Sequence, residues 1–299
     1  MKKRLRFALP FLILPLLDGC LEFEQQTVSF SHDAATDTLR IFQDYQGIFG
    51  ANDPARLSEN EVEQMASVMQ GERTFFFSNW ITEYNRSRLE EMKATPEGEL
   101  DENPAYETAI RALADIALAN IKVDNVGFYF NANHHLCGAQ QITIRNASRV
   151  LASLNTVLQF VAREEAANDD KTAEEKRALL QFAENAERTL ILNGNRLEAR
   201  WPSSEEEYRK SKDSRLGRAF LERGGTMQHT GGVLVLAFGE KDAPWTTLTL
   251  PFSENDYSEN AVAEAKTYGI KELFDPASAA NRFFNQRSPG KREIGNGQP

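Results

Sequence analysis

The chain has 299 residues, of which 34 are basic and 44 acidic, and its formal net charge is −10 at pH 7. Because an acidic surface repels phosphate groups, this balance excludes electrostatic binding of nucleic acid or of anionic lipid headgroups. Hydrophobic residues make up 41% of the chain, enough for one large core or two smaller ones, and no repeat indicates a solenoid.

Residues 1–19 have the pattern of an export signal. Four basic residues lie among the first six, and an apolar run of 11 residues follows from Phe7 to Leu17. A transmembrane helix needs ~20 apolar residues, whereas the apolar stretch of a signal peptide has ~7 to 15. These 19 residues hold four basic side chains and one acidic one, so the rest of the chain has a net charge of −13.

The segment Leu17-Asp18-Gly19-Cys20 resembles the lipobox of bacterial lipoproteins, in which a leucine-like residue and a small residue precede a cysteine. Asp18 departs from that pattern, and the likeness covers residues 1–20 only. The resemblance implies cleavage before Cys20, acyl groups such as palmitate on that cysteine, and a place in the cell envelope. In enteric lipoproteins an aspartate after the acylated cysteine marks retention in the inner membrane. This position is Leu21 here, so in a Gram-negative host the resemblance implies sorting to the outer membrane.

After this segment the chain opens on a predicted β-hairpin. Apolar residues alternate with polar ones on both sides of His32–Asp37. The first two of these apolar residues are out of phase, which predicts a bulge near Gln25. The alternating residues are Phe23, Val28 and Phe30 before the turn, and Leu39, Ile41 and Tyr45 after it.

Helix-start signals mark the next segments. Ser58 with Glu61 has the form of a capping box, and Asn103-Pro104 begins a second helix. Between these two helices, the apolar run Phe75–Phe77 predicts a buried strand. The charged, aperiodic stretch at 86–103 predicts a surface loop or a subdomain seam.

A second hairpin is predicted from two pairs of apolar residues that share one face, Phe128 with Phe130 and Ile142 with Ile144. This phase places Phe130 opposite Ile142 and the turn near Leu136. Asn146 precedes a strongly amphipathic helix. Thr172 with Glu175 caps the helix after it.

Further elements fill the C-terminal third. Asn193-Gly194 suits a tight turn and predicts a third hairpin, while Ser204 opens a helix that runs past Arg215. Val233–Phe238 is apolar throughout, which predicts a central strand covered on both faces. The remaining predictions are a strand at Thr246–Leu250 paired with it, helices at Ser258–Tyr268 and Pro276–Asn285, and a disordered tail at 286–299.

Hairpins interspersed with helices predict one α+β domain over residues 20–285. Its sheet is expected to be antiparallel or mixed, built from hairpins and packed with several amphipathic helices. The strict alternation of strand and helix in a doubly wound fold is absent, which also counts against a two-lobed solute-binding protein.

Reactive residues cluster in Asn131–Gly138, at the predicted hairpin tip, which holds His134, His135 and Cys137. Zinc accepts imidazole and thiolate ligands, but a structural zinc site normally has four ligands and this loop offers three. A Cys-His nucleophile would also need a third, orienting residue. A polar turn with an incidental thiol is the preferred interpretation, so no cofactor is expected and zinc or another transition metal is the minor alternative.

Other signals are weaker still. Four glycines surround His229 in Gly224–Gly232, a pattern typical of a mobile lid or a plain connector. The chain lacks a G-x-S-x-G elbow, an H-E-x-x-H pair, a phosphate loop, a calcium loop and a C-x-x-C motif, so no catalytic or cofactor-binding residue is predicted.

The sequence therefore favours an envelope lipoprotein with a noncatalytic binding or structural role. Its partners would be the membrane, through Cys20, and an envelope protein that the sequence does not identify. The alternative is a metal-dependent or thiol enzyme that uses His134, His135 and Cys137, with His32 or His229 brought close by folding. Sensing of a small ligand is a third hypothesis.

Overall fold

The computed structural model describes residues 21–50, 58–69, 73–74, 84–168, 171–184, 189–252 and 274–285. Within these ranges the chain forms two antiparallel sheets and eight helices, which confirms the predicted α+β class. The strands are β1 (Leu21–Asp33), β2 (Thr38–Gly50), β3 (Ile121–Phe130), β4 (Leu136–Arg145), β5 (Leu190–Asn193), β6 (Arg196–Pro202), β7 (Thr226–Thr230), β8 (Val233–Phe238) and β9 (Thr246–Pro251). The helices are α1 (Glu59–Met69), α2 (Arg86–Ala94), α3 (Pro104–Asn120), α4 (Ala147–Ala166), α5 (Ala173–Glu184), α6 (Glu205–Asp213), α7 (Arg215–Glu222) and α8 (Pro276–Asn285).

Sheet 1 has five strands in the order β3-β4-β2-β1-β9. The first predicted hairpin is confirmed, because β1 and β2 pair in antiparallel fashion from Leu21 opposite Gly50 to Asp33 opposite Thr38. The bulge predicted near Gln25 is wrong, since the register is the same on both sides of that position. The backbone instead departs from normal strand geometry at Gly47, where φ is +65°.

The second predicted hairpin forms, but its register is wrong. Phe130 lies opposite Leu136 rather than Ile142, and Val123 lies opposite Ile142. A bulge between Asn125 and Gly127 shifts the pairing partway along the strand. The turn is centred on Asn133, three residues before the predicted position at Leu136.

Helices cover both faces of sheet 1. On one face, α2, α3 and α4 pack against Ile121, Val123 and Ile142. On the other, α8 packs against the face that carries Tyr129 and Cys137. Three of the predicted caps hold: Asn103 accepts hydrogen bonds at the start of α3, and the Ser58–Glu61 and Thr172–Glu175 pairs bond reciprocally.

The charged stretch at 86–103 is partly helical, so the surface-loop prediction is wrong for residues 86–94. The side chain of Asn85 caps α2 by accepting a hydrogen bond from the Arg88 amide. Leu89 and Met92 are buried against α3. Only two apolar residues in nine face the core, which is too few for the periodicity to show in the sequence.

Sheet 2 has four strands in the order β5-β6-β8-β7. The third hairpin is confirmed, although its two-residue turn is Gly194-Asn195, one position later than predicted. The strand β8 is central, between β6 and β7, but its predicted burial on both faces is wrong because every residue except Ala237 is partly exposed. The predicted pairing of β9 with β8 is also wrong, since β9 crosses over to join β1 in sheet 1.

The predicted helix from Ser204 is split in two by Ser214. Ser214 ends α6 and caps α7, its Oγ accepting a hydrogen bond from the Gly217 amide at 3.0 Å. The predicted helix at Pro276–Asn285 is confirmed as α8. The predictions for Phe75–Phe77, Ser258–Tyr268, 286–299 and the signal with Cys20 lie outside the described residues. No helix of the described ranges is long and apolar enough to cross a membrane.

Candidate functional site at the tip of the β3–β4 hairpin

The two strands β3 and β4 are joined by a turn at Asn131–His135, called the tip turn below. Asn131 holds it together: its side-chain oxygen accepts hydrogen bonds from the amides of Asn133 at 3.0 Å and His135 at 2.9 Å. Its carbonyl oxygen accepts a third from the amide of His134, whose φ is +60°. An asparagine side chain that bonds the next backbone amides stabilises such a turn without a glycine.

The two histidines of the tip turn face different surroundings. His134 is exposed at its outer end. His135 is half-buried, and its Nδ1 lies 3.2 Å from a carboxylate oxygen of Glu24 on β1. This contact between His135 and Glu24 joins residues that are 111 positions apart in sequence.

Glu24 reaches His135 by passing over Gly47 on the intervening strand β2. A Cβ built at Gly47 would lie 2.4 Å from the carboxyl group of Glu24, so only a glycine leaves room for the crossing. The same residue has φ +65°, a conformation that other residues adopt at a cost. Gly47 therefore meets two requirements of the site, one steric and one conformational.

Cys137 lies behind the tip turn, fully buried on β4. Its thiol donates a hydrogen bond of 3.4 Å to the carbonyl oxygen of His135 and not to the imidazole ring. Burial raises the pKa of the Cys137 thiol to about 12, although a hydrogen bond from the backbone of Gly47 acts in the opposite direction. At neutral pH the side chain is a protonated thiol, whereas a nucleophile or a metal ligand must be a thiolate.

A buried carboxyl group, Asp44 on β2, lies beside the thiol. One of its oxygens accepts a hydrogen bond of 2.5 Å from the hydroxyl of Tyr129 on β3, and the other accepts one of 2.9 Å from the side-chain amide of Gln46. Burial raises the pKa of Asp44, and these two hydrogen bonds only partly offset that effect. Burial likewise raises the pKa of Tyr129, with a further contribution from the charge on Asp44.

The three residues of the minor alternative, a metal site, are thus engaged separately. His134 points to solvent, His135 pairs with Glu24, and Cys137 is enclosed with Tyr129 and Asp44. Across the part of the chain that the structure describes, no three His, Cys, Asp or Glu side chains converge as ligands for a metal ion. As it stands, the site is a set of hydrogen bonds that involves residues of the four strands β1, β2, β3 and β4.

No family model, curated protein or solved structure matches this chain. The interpretation of the site therefore depends on its own geometry and chemistry.

The other two candidate histidines lie away from the tip turn. His32 is at the opposite end of β1, where its Nε2 lies 3.3 Å from Asp37. His229 is on β7 of sheet 2, with Nδ1 2.9 Å from Glu205 and Nε2 2.7 Å from the carbonyl oxygen of Ser203. The prediction that folding brings either one to the tip is wrong.

The glycine-rich segment around His229 is neither a lid nor a loose connector. Residues 226–230 form the edge strand β7, and Gly231-Gly232 is the two-residue turn that leads into β8. His229 also stacks on the ring of Tyr208, with 5.6 Å between ring centroids, and so fastens α6 to the edge of sheet 2.

Sequence reasoning missed Glu24, Asp44 and Tyr129 as members of this site. Their contacts with the tip join residues that are far apart in the chain, as in the separation of 85 residues between Asp44 and Tyr129. One signal was present: Asp44 lies in the middle of a strand otherwise rich in apolar residues, where a carboxyl group needs a hydrogen-bond donor.

Proposed function

We propose that this protein is a cell-envelope lipoprotein, anchored in a membrane through acyl groups on Cys20, with a noncatalytic binding or structural role. The observation that carries the proposal is the export signal followed by Leu17-Asp18-Gly19-Cys20. Several acyl chains anchor a protein far more strongly than surface charge does, because each buried methylene contributes ~0.8 kcal/mol. An acidic domain is compatible with such an anchor.

Two features of the tip support the noncatalytic role. The Cys137 thiol is enclosed and protonated at neutral pH, and its hydrogen bond goes to a backbone oxygen. A thiol enzyme instead needs a thiolate within reach of a base such as imidazole. His135 is already paired with Glu24, so this ring is occupied by a structural interaction.

For a Gram-negative host we propose the outer membrane as the location. The residue after the acylated cysteine would be Leu21, and the aspartate that marks inner-membrane retention in enteric lipoproteins is absent there.

Detergent phase partitioning and intact mass of the full chain test the anchor. Wild-type protein should enter the detergent phase, with a mass above that of residues 20–299 by the added acyl groups. Cys20→Ala should remove that lipid mass and leave either an uncleaved precursor or a soluble envelope protein. Cys137→Ala is the matched control, because it removes the other cysteine and should leave acylation intact.

Two results for the wild-type protein would contradict the proposal. One is a wild-type N-terminus at Cys20 without added lipid mass, and the other is an N-terminus at any other residue. Loss of lipid mass in Cys137→Ala but not in Cys20→Ala would show that Cys137, and not Cys20, carries the acyl groups.

A further inference from the structure

We infer that the domain is oriented with one end of sheet 1 at the membrane. In this orientation the tip turn contacts the lipid surface, and sheet 2 lies far from the membrane. This inference rests on the proposed anchor at Cys20 and adds an orientation to it. Three spatial relationships among the described residues carry it.

The first is that the described part of the domain begins with a strand at Leu21, the residue that directly follows Cys20 in the sequence. Leu21 already pairs with Gly50 in sheet 1, and its side chain is only 1% exposed. Phe23 is fully buried. A flexible tether would let the domain tumble above the bilayer, whereas a strand fixed at its first residue places this end of the sheet at the lipid surface.

The second is the position of the tip turn at that same end. Glu24, three residues along β1 from Leu21, contacts His135 at 3.2 Å. At ~3.3 Å per strand residue, Leu21 lies about 10 Å from this contact along the strand. Ala132, Asn133 and His134 are exposed there, so they would be the tip-turn side chains that meet the headgroups.

The third is the position of sheet 2 at the far end of β1. The amide of His32 donates a hydrogen bond of 2.6 Å to Asn195, in the turn between β5 and β6. Phe30 packs edge-on against Phe238 of β8, with 6.3 Å between ring centroids. Because β1 has 13 residues, the two ends are about 40 Å apart, and β1 acts as a rigid spacer that carries sheet 2 away from the membrane.

The composition of the anchored end specifies the lipid chemistry. The described segments there, 21–26, 45–50 and 129–138, contain no Lys or Arg, while Glu22 and Glu24 are acidic. Basic side chains near a leaflet gain ~1 kcal/mol each from anionic lipid, and these three described segments contain none. The contact should therefore form equally well on zwitterionic phosphatidylcholine.

Energy transfer from the protein to a lipid dye tests the orientation. A noncanonical residue for fluorophore attachment replaces Asn133 at the tip turn or Gln228 on β7, both exposed. The full chain is purified as the lipoprotein, its acyl mass is recorded, and it is reconstituted in phosphatidylcholine vesicles that contain an acceptor lipid. Ala132 and Thr226, also exposed, provide a second pair of label sites if either first variant fails to fold.

We expect donor quenching at residue 133 to be at least twofold stronger than at residue 228, with no change when anionic lipid is added. Acylated protein with equal or reversed quenching would overturn the orientation and leave the anchor intact. A preparation without acyl mass would overturn the proposed function and the orientation together.

Discussion

The hydroxyl of Tyr129 on β3 crosses over β4 and donates a hydrogen bond to the buried carboxyl group of Asp44 on β2. This contact spans three strands of sheet 1 and lies directly behind the tip turn. It makes the stability of the hairpin dependent on the protonation of a single acidic residue, and it leads to the first prediction.

Asp44→Asn should alter the pH dependence of stability. Burial holds the pKa of Asp44 above its ordinary value of 3.8, so the folded state binds its proton more tightly than the unfolded state does. The resulting stabilisation is complete below pH ~3.8 and is lost as pH rises through the folded pKa, with a slope of up to ~1.4 kcal/mol per pH unit. Relative to Asp44→Asn, the wild type should therefore lose stability as pH rises above 4.

Urea unfolding of both proteins at a series of pH values measures this difference. Asp242→Asn, at an exposed position, is the reference variant. A wild-type protein that gains stability over Asp44→Asn with rising pH would show that the carboxylate, and not the acid, is the form that the fold favours.

Gly47→Ala should destabilise the protein by about 2 to 4 kcal/mol, since it adds a clash with Glu24 to the cost of a positive φ. Gly98→Ala is the matched control, because Gly98 has φ +86° with open space around it and so reports the backbone cost alone. Adding Glu24→Ala to Gly47→Ala should recover the steric part. Equal losses for Gly47→Ala and Gly98→Ala, measured by urea unfolding, would mean that Glu24 does not need the glycine.

Cys137 should react slowly with thiol reagents in the folded protein. With its pKa raised from 9.0 to about 12, the thiolate fraction falls about a thousandfold, and burial restricts access further. The rate of modification by a thiol-specific reagent at pH 7.5, in the Cys20→Ala background, should rise by about that factor in urea. Rapid labelling of the folded protein would revive the thiol-enzyme hypothesis.

The tip turn should not hold a metal. The purified protein is expected to contain no stoichiometric zinc, copper or iron, because His134, His135 and Cys137 are engaged separately. Elemental analysis measures this directly. One metal per chain, lost in a His134→Ala/Cys137→Ala variant, would instead support the metal-dependent alternative.

Gln26→Met should stabilise the fold. The side chain of Gln26 is buried, and neither its amide nitrogen nor its carbonyl oxygen has a hydrogen-bond partner among the residues that the structure describes. An unsatisfied buried amide costs about 1 to 3 kcal/mol, which an apolar side chain of similar shape avoids. Gln140→Met is the matched control and should destabilise, since Gln140 donates a hydrogen bond of 3.2 Å to the carbonyl oxygen of Arg73. Thermal unfolding compares the two, and a loss of stability in Gln26→Met would reveal a bound partner such as an ordered water.

The parts of the fold that were predictable depend on neighbouring residues. Ser58, Asn103, Thr172 and Ser204 cap helices through hydrogen bonds within two or three residues, so their sequence signals were sufficient. The register of β3 with β4 depends on features that apolar spacing does not record. These are a turn held by the side chain of Asn131 and a bulge after Asn125.

The site was only half predictable for a related reason. The local cluster of His134, His135 and Cys137 was visible in the sequence, but the groups that fix their chemistry come from β1 and β2. Glu24 and Asp44 reach the tip only because sheet 1 places β2 next to β4, an adjacency that joins separate hairpins. Patterns within a single segment carry no information on which hairpins become neighbours.

The crossover of β9 into sheet 1 sets an order of assembly. The β1–β2 hairpin can form once the first 50 residues have emerged. The outer edge of β1 stays unpaired until β9, which ends at residue 251, is present. The Thr27–Thr249 contact across this edge joins residues 222 positions apart. An unpaired strand edge is a template for intermolecular pairing. A chain that emerges N-terminus first would therefore leave this edge of β1 unpaired through most of its release, and truncation before β9 would leave it unpaired permanently.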